Sequence, residues 1–216
     1  MAAIIPYSAT SLDVLAQQVR SVLGRGGIVA VPTETFYGLG VSPFDRIALD
    51  RLSAVKGRAD GKPILVLVAS SHDLAPFTDH VPSAAVVLME TFWPGALTLL
   101  FPARSSVPSA ITAGSGRVGI RVSSCRPLLE LLEQVGPLTG TSANRSGASP
   151  AQTAREVDRA FGSEIDVIID AGQTPGGLPS TVVEADETLR IVREGVIPGT
   201  AIEAALRRRG FSLKLA

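Results

Sequence analysis

The chain has 216 residues, with twenty basic and twenty acidic side chains and a formal charge of zero at pH 7. Its composition, 45% hydrophobic and 19% charged, excludes a disordered chain, and no apolar run approaches the ~20 residues needed to span a bilayer. Charge neutrality also removes the global basic field that drives non-specific nucleic-acid binding.

The length exceeds the ~150-residue guide for one domain, but no linker or internal repeat interrupts it, so one α/β domain over residues 1–216 is expected. Cys125 is the only cysteine, which excludes an internal disulfide and any multi-cysteine metal site. Met1 to Tyr7 carries neither a basic stretch nor an apolar core of export-signal length, so a cytoplasmic location with no membrane contact is expected.

Leu12, Leu15, Val19, Val22 and Leu23 recur at helical spacing, so residues 11–23 form the first predicted helix, closed by Gly24, Gly26 and Gly27. Ile28 to Val31 reads as a strand buried on both faces and stopped by Pro32. It delivers Thr33, Glu34 and Thr35 at its carboxyl end, where open α/β sheets bind ligands. A helix over 45–55 follows, then the cationic stretch Lys56-Gly57-Arg58-Ala59-Asp60-Gly61-Lys62-Pro63, then a strand over 64–68.

Beyond it the pattern predicts a short helical turn at 74–77, a helix at 82–92, a strand at 96–101, a short helix or loop at 107–111 and a strand at 118–122. A helix at 127–135 and a short strand or connector at 137–140 come next. The last elements are a helix at 154–161, a strand at 167–170, a hairpin of 181–184 with 189–192, and a helix at 200–209. Residues 172–180, with three glycines and two prolines, read as a loop on the surface or over a ligand. The elements intermix without strict βαβ alternation, which predicts an open, twisted mixed sheet flanked by helices.

The commoner catalytic plans are missing: no Walker A sequence, no G-x-G-x-x-G opening a helix, no H-E-x-x-H and no G-x-S-x-G. What remains is a set of loops rich in hydroxyls and fixed cations: Pro32 to Thr35, Lys56 to Arg58, Lys62, Arg117, Arg121, Thr141 to Asn144, Ser146, Ser149, Pro179 to Thr181 and Arg193. Arginine offers a planar fork of donors and lysine a compact charge, so the set suits several anionic groups held at once. Transfer at a phosphorus centre needs mainly such positioning and charge neutralisation.

The strings PTETFYGLG, KGRADGKP, FWPGALTLL, GRVGIRV, GTSANRSGASP, LPSTVVE and VREGVIP, in this order between about residues 26 and 198, resemble the YrdC-like family of threonylcarbamoyl-AMP synthases in its short, single-domain form. The resemblance implies an open mixed α/β sheet with a large central concave cavity. It also implies a reaction joining L-threonine, bicarbonate and ATP into threonylcarbamoyl-AMP and pyrophosphate, with Mg2+ accompanying ATP. A separate transferase complex would use the product for threonylcarbamoyl-adenosine in tRNA, with weak tRNA binding as a further partner.

By the same resemblance Lys56, Arg58, Ser142 and Asn144 hold the nucleotide phosphates and the reacting centre. Ser149, Arg193, Lys62 and Arg117 complete the ATP side, and Thr33, Arg121, Thr141 and Ser180 hold threonine. Leu67 stands where many members carry a histidine.

Each of these residues also has a plainer reading. Thr33 and Thr35 satisfy backbone groups at a strand end; Ser142 and Asn144 make an ordinary turn or helix cap; Glu34 is either a general base or the ion-pair partner of a loop arginine. Tyr37 is read as packing, and Trp93 as a core anchor and not an adenine stack. The competing function is an RNA-binding module that contacts phosphates through Arg58, Arg117 and Arg121 on a concave face.

Overall fold

A computed structural model describes residues 1–57, 62–186 and 189–211. Among these residues ten strands form one mixed sheet: β1 (Ala3–Pro6), β2 (Val29–Val31), β3 (Gly38–Gly40), β4 (Leu65–Val68), β5 (Leu97–Pro102), β6 (Arg117–Val122), β7 (Leu138–Ser142), β8 (Val167–Asp170), β9 (Thr181–Glu184) and β10 (Arg190–Arg193). Their spatial order is β1-β8-β2-β3-β7-β4-β6-β5-β9-β10. Parallel pairs (β1 with β8, β2 with β8, β4 with β6, β5 with β9) mix with antiparallel ones, as the lack of βαβ alternation predicts.

Among the described residues seven α-helices accompany the sheet: α1 (Leu12–Leu23), α2 (Arg46–Lys56), α3 (Ser83–Phe92), α4 (Ser109–Thr112), α5 (Arg126–Val135), α6 (Ala154–Phe161) and α7 (Gly199–Arg207). Their ends follow local chemistry. Asp45 caps α2 by accepting from the Ala48 N–H, and Thr153 with Glu156 forms a reciprocal capping box on α6. Gly57 ends α2 in the left-handed conformation (φ 56°) that a side chain resists, directly after Lys56.

The period-2 alternation of the strands sends their side chains into two cores. On one face Val29, Val31, Leu67, Leu138, Val167 and Ile169 pack against Leu15 and Val19 of α1 and Leu128, Leu131 and Leu132 of α5. On the other face Ala30, Val66, Val68, Leu99, Phe101, Val118, Ile120 and Val183 pack against Leu49 and Leu52 of α2, Leu88 of α3, Phe161 of α6 and Ile202 of α7. Each fully buried leucine of this kind contributes about 2 kcal/mol relative to exposure.

The first core covers β2, β8, β7 and β4 but stops there. On the same side of the sheet β5, β6 and β9 present Thr98, Leu100, Gly119, Arg121 and Val182 to a hollow. The fold thus leaves a cavity at the boundary where the α1–α5 layer ends.

Two strands escaped the sequence pattern, and the helical turn expected at 74–77 is a short helix at Ser71–Leu74. Strand β1 pairs in parallel with β8 through Ala3 to Pro6, a run too short and too exposed to show alternation. Strand β3 is Gly38-Leu39-Gly40, a composition strand propensity disfavours, and it is there because a side chain at position 40 would approach the Thr139 carbonyl oxygen to 2.6 Å.

Candidate active site

The hollow has a volume of about 590 Å³. Gly38, Gly119 and Gly140 contribute to its floor on β3, β6 and β7, and Leu65, Leu67, Thr98 and Leu100 flank them. At two of these glycines a side chain would crowd its neighbours. A Cβ on Gly140 would lie 2.8 Å from Leu67 Cδ1, and one on Gly119 would lie 3.1 Å from Leu100 Cδ2 and 3.3 Å from the Thr98 methyl. Leu67 is fully buried over Gly140, so it supplies an apolar wall.

The loop after β2 forms one rim. The Thr33 hydroxyl donates to the Phe36 carbonyl (2.7 Å) and accepts from the Thr35 and Phe36 N–H groups, so it builds the turn while lining the cavity. Tyr37 is fully buried, its hydroxyl donating to the Gly172 carbonyl, and burial pushes its pKa up to about 12. It is a packing residue that does not titrate near neutrality.

Arg121, at the end of β6, is the most unusual group in the cavity. It is only 4% exposed, and Glu34 Oε1 sits 3.4 Å from its Nε without hydrogen-bond alignment, leaving both atoms buried and unsatisfied. The other Glu34 oxygen accepts from the Ser123 hydroxyl. Burial lowers the Arg121 pKa, Glu34 offsets that, and Arg193 adds to it; an arginine nonetheless stays protonated. A buried guanidinium with so few partners demands an anion. Glu34 therefore stands behind Arg121 as its counter-ion, the ion-pair reading of the two open for it, although its partner lies on a strand and not a loop.

The opposite rim is the start of β9. Ser180 Oγ lies 3.0 Å from Thr98 Oγ1, both buried and both lining the cavity, and Arg193 Nη2 donates to the Ser180 carbonyl at 2.8 Å. Residues after β10 hold this rim in place. The Val196 N–H donates to the Pro179 carbonyl, and Thr181 Oγ1 accepts from the N–H groups of Gly195 and Ile197 while donating to the Ile197 carbonyl.

The approach at Gly195 is so close that a Cβ there would overlap the Pro179 carbonyl oxygen and lie 2.7 Å from the Ser180 carbonyl carbon. Gly195→Ala is therefore expected to displace Ser180 and cost about 2–3 kcal/mol, within the range for overpacking. Thermal melting together with amino-acid-dependent turnover checks it.

The third wall comes from Thr141 and Ser142 at the end of β7, with Lys56 and the following loop behind it. Lys56, 7% exposed, donates from Nζ to the carbonyls of Ser142 (2.6 Å) and Asn144, with Asn144 Oδ1 at 3.4 Å. The Ser142 hydroxyl donates to Asn144 Oδ1 at 2.6 Å, and Asn144 Nδ2 donates to the carbonyls of Arg145 and Ala148. Asn144 is thus a loop organiser as well as a site candidate. Asn144→Ala is expected to lose about 2 kcal/mol from these bonds, so its melting temperature falls by roughly 4–8 °C along with activity. A ligand contact alone would leave the melt unchanged.

The structure brings Thr33, Arg121, Thr141, Ser142, Ser180 and Arg193 together on the cavity wall, with Lys56 and Asn144 directly behind Ser142. Lys62 and Ser149 are exposed, each next in sequence to a lining proline, Pro63 and Pro150. Arg58 lies outside the described residues. Arg117 does not line the cavity: at the start of β6 its guanidinium engages Glu184 (2.7 Å) and Asp186 (2.6 Å), so its charge is used in holding the β9–β10 turn.

The 172–180 loop runs over the cavity. Gly176 N–H is tied to the Thr35 carbonyl and Thr174 N–H to the Gln152 carbonyl, while Gly177 and Pro179 line the hollow. Trp93 donates its indole N–H to the Leu97 carbonyl and packs against the core, away from the cavity. Thr98, Ser123 and Gly195 are site residues that the sequence did not single out. The GRVGIRV string carries the Gly119–Arg121 alternation, but nothing in FWPGALTLL marks Thr98 as facing a hollow and not the core.

Comparison with known proteins places the chain in a family. The Sua5/YciO/YrdC family, described as telomere recombination, matches residues 21–195. A threonylcarbamoyl-AMP synthase of Pyrococcus abyssi is 37% identical over 184 residues, covering 84% of this chain and 54% of the relative. One of Thiobacillus denitrificans is 37% identical over 167 residues, covering 77% and 88%. The chain thus spans about half the length of the first and most of the second.

Among solved structures, P. abyssi Sua5 complexed with L-threonine superposes with a TM-score of 0.89 at 30% identity, covering 100% of this chain and 62% of that one. Escherichia coli YciO superposes at 0.81 with 26% identity, covering 94% and 98%. On the cavity, the mixed sheet that builds it and a match over residues 21–195, this chain belongs to the Sua5/YciO/YrdC family.

Proposed function

We propose that the chain joins L-threonine, bicarbonate and ATP into threonylcarbamoyl-AMP, releasing pyrophosphate, a nucleotidyl transfer that supplies a separate transferase complex modifying tRNA. The observation that carries this reading is Arg121, a buried cation with an unsatisfied Nε, facing a cavity whose opposite rims are hydroxyls. Such a group fits the carboxylate of an amino acid. The names of the relatives and the threonine complex of the P. abyssi protein support it.

In this scheme the threonine amine condenses with bicarbonate, losing water, to give a carbamate. A carbamate oxygen then attacks the α-phosphorus of ATP, and pyrophosphate leaves. Arg121 holds the threonine carboxylate, and the hydroxyls of Thr33, Thr141 and Ser180 hold its polar groups. Lys56 with the Ser142–Asn144 loop, joined by Arg58, Ser149, Arg193 and Lys62, holds the triphosphate and spreads charge in the transition state.

No protein nucleophile is required, and holding the carbamate beside the phosphorus supplies much of the barrier reduction. Mg2+ enters with ATP, bridging its phosphate oxygens as part of the MgATP substrate. No helix of the described residues is long and apolar enough to cross a membrane.

Pyrophosphate release, measured with each substrate omitted in turn, tests the proposal. Release is expected only when ATP, bicarbonate and L-threonine are all present; ATP turnover indifferent to threonine would overturn it.

A further inference from the structure

We infer that Thr98 determines which amino acid this site accepts, by pairing with Ser180 to read a β-hydroxyl on the substrate. The inference rests on the proposed use of the cavity for threonine and adds a residue to it. Strands β5 and β6 pair with Leu99 opposite Ile120 and Leu100 opposite Gly119, so the next step of the register sets Thr98 beside Arg121. Strands β5 and β9 pair with Leu97 opposite Thr181 and Thr98 opposite Val182, which brings the start of β9, and Ser180, to the other side of Thr98. A carboxylate receiver and a hydroxyl pair therefore lie in one row across neighbouring strands of the cavity wall.

The hydroxyl pair is built for recognition. Thr98 and Ser180 are 3% exposed each, and their oxygens are 3.0 Å apart. Whichever hydroxyl donates, the other retains its proton, and lone pairs remain, so the pair offers one donor and at least one acceptor to a ligand hydroxyl. Arg193 Nη2, 3.4 Å from Ser180 Oγ, biases Ser180 toward accepting. The Thr98 methyl lies over Gly119, where a Cβ would come within 3.3 Å, and a β-branched side chain so placed keeps its hydroxyl turned to Ser180. A buried pair that a ligand lacking the hydroxyl leaves unsatisfied rejects that ligand, whereas an apolar wall discriminates weakly.

The test compares L-threonine with L-2-aminobutyrate, which keeps the methyl and lacks the hydroxyl, in wild type, Thr98→Val and Thr98→Ser. Wild type is expected to favour threonine by ~100-fold or more in kcat/KM, and Thr98→Val to cut that preference by about tenfold. Thr98→Val should do so through the threonine KM, with kcat and the ATP KM within about twofold, while Thr98→Ser restores the preference. An unchanged preference in Thr98→Val, or a wild-type preference below about threefold, overturns the inference.

Should Thr98→Val not fold, Thr98→Ala removes the same hydroxyl and is read the same way. Arg121→Gln separates the two levels. If it leaves the threonine KM unchanged, the threonine reading itself falls; if it raises that KM while Thr98→Val leaves the preference intact, only the role of Thr98 falls.

Discussion

Arg121→Gln is expected to lower kcat/KM for L-threonine by about 30- to 3,000-fold, because truncating one partner of a buried charge pair costs about 2–5 kcal/mol and each 1.4 kcal/mol is a factor of ten. The ground for so large an effect is the state of Arg121 in the structure: 4% exposed, its Nε without a hydrogen bond, and a single carboxylate at 3.4 Å. The substitution also strands Glu34, whose side chain is 13% exposed and would keep only the Ser123 hydroxyl. Stability should therefore fall by about 3 kcal/mol, or roughly 6–12 °C in melting temperature.

The double variant Glu34→Gln/Arg121→Gln separates the two effects. It removes both charges, so most of the melting temperature returns while the threonine defect stays. Recovery of threonine turnover in the double variant would mean that Arg121 supports the fold and not the ligand. Steady-state kinetics and thermal melts on three proteins decide it.

Lys56→Met is the second large effect. Lys56 Nζ gathers the carbonyls of Ser142 and Asn144, and its charge sits 6.0 Å from the Phe161 ring centroid. Hydrogen bonds from a charged donor contribute about 1.5–3 kcal/mol, and the methionine leaves both carbonyls short of a donor. The loop that presents the Ser142 hydroxyl to the cavity then loses its anchor. The expected result is a loss of about 3 kcal/mol in stability and a fall of ~100-fold or more in kcat/KM for ATP, with threonine affinity within about threefold of wild type.

Lys56→Arg is not expected to rescue, because a planar fork cannot converge on carbonyls set for a compact ammonium. Calorimetric titration of threonine and of ATP into the variant reads the two sides of the cavity separately.

How much of this was legible in the sequence depends on what each residue type can signal. Helical spacing placed α1, α2, α5 and α6 within a residue or two, and β-branched runs placed β2, β4, β6 and β8. The mixed sheet followed from the order of the elements. The cavity did not, because it is a gap left where the α1–α5 layer ends, and a gap has no residue of its own. Thr98 alternates with Leu97 and Leu99, and alternation alone cannot tell a wet face from a dry one. Gly195 reads as loop punctuation until the backbone of Pro179 and Ser180 is found against it.

Charge was the least reliable guide. Arg117 and Arg121 occupy the same face of β6, yet one is tied to Glu184 and Asp186 and the other is buried beside Glu34. That difference also weakens the RNA-binding alternative. A phosphate-binding surface needs accessible cations, and of the three arginines it invoked Arg117 is paired, Arg121 is buried, and Arg58 lies outside the described residues.

The most direct test is to incubate the protein with ATP, L-threonine and 13C-bicarbonate and to follow the nucleotides by mass spectrometry. The predicted product is an adenylate that carries threonine and one 13C carbon, formed in step with pyrophosphate and formed at least about 30-fold more slowly by Arg121→Gln at matched, subsaturating threonine. Conversion of ATP to AMP or ADP with no threonine-bearing adenylate, or an adenylate without the 13C label, would contradict the account.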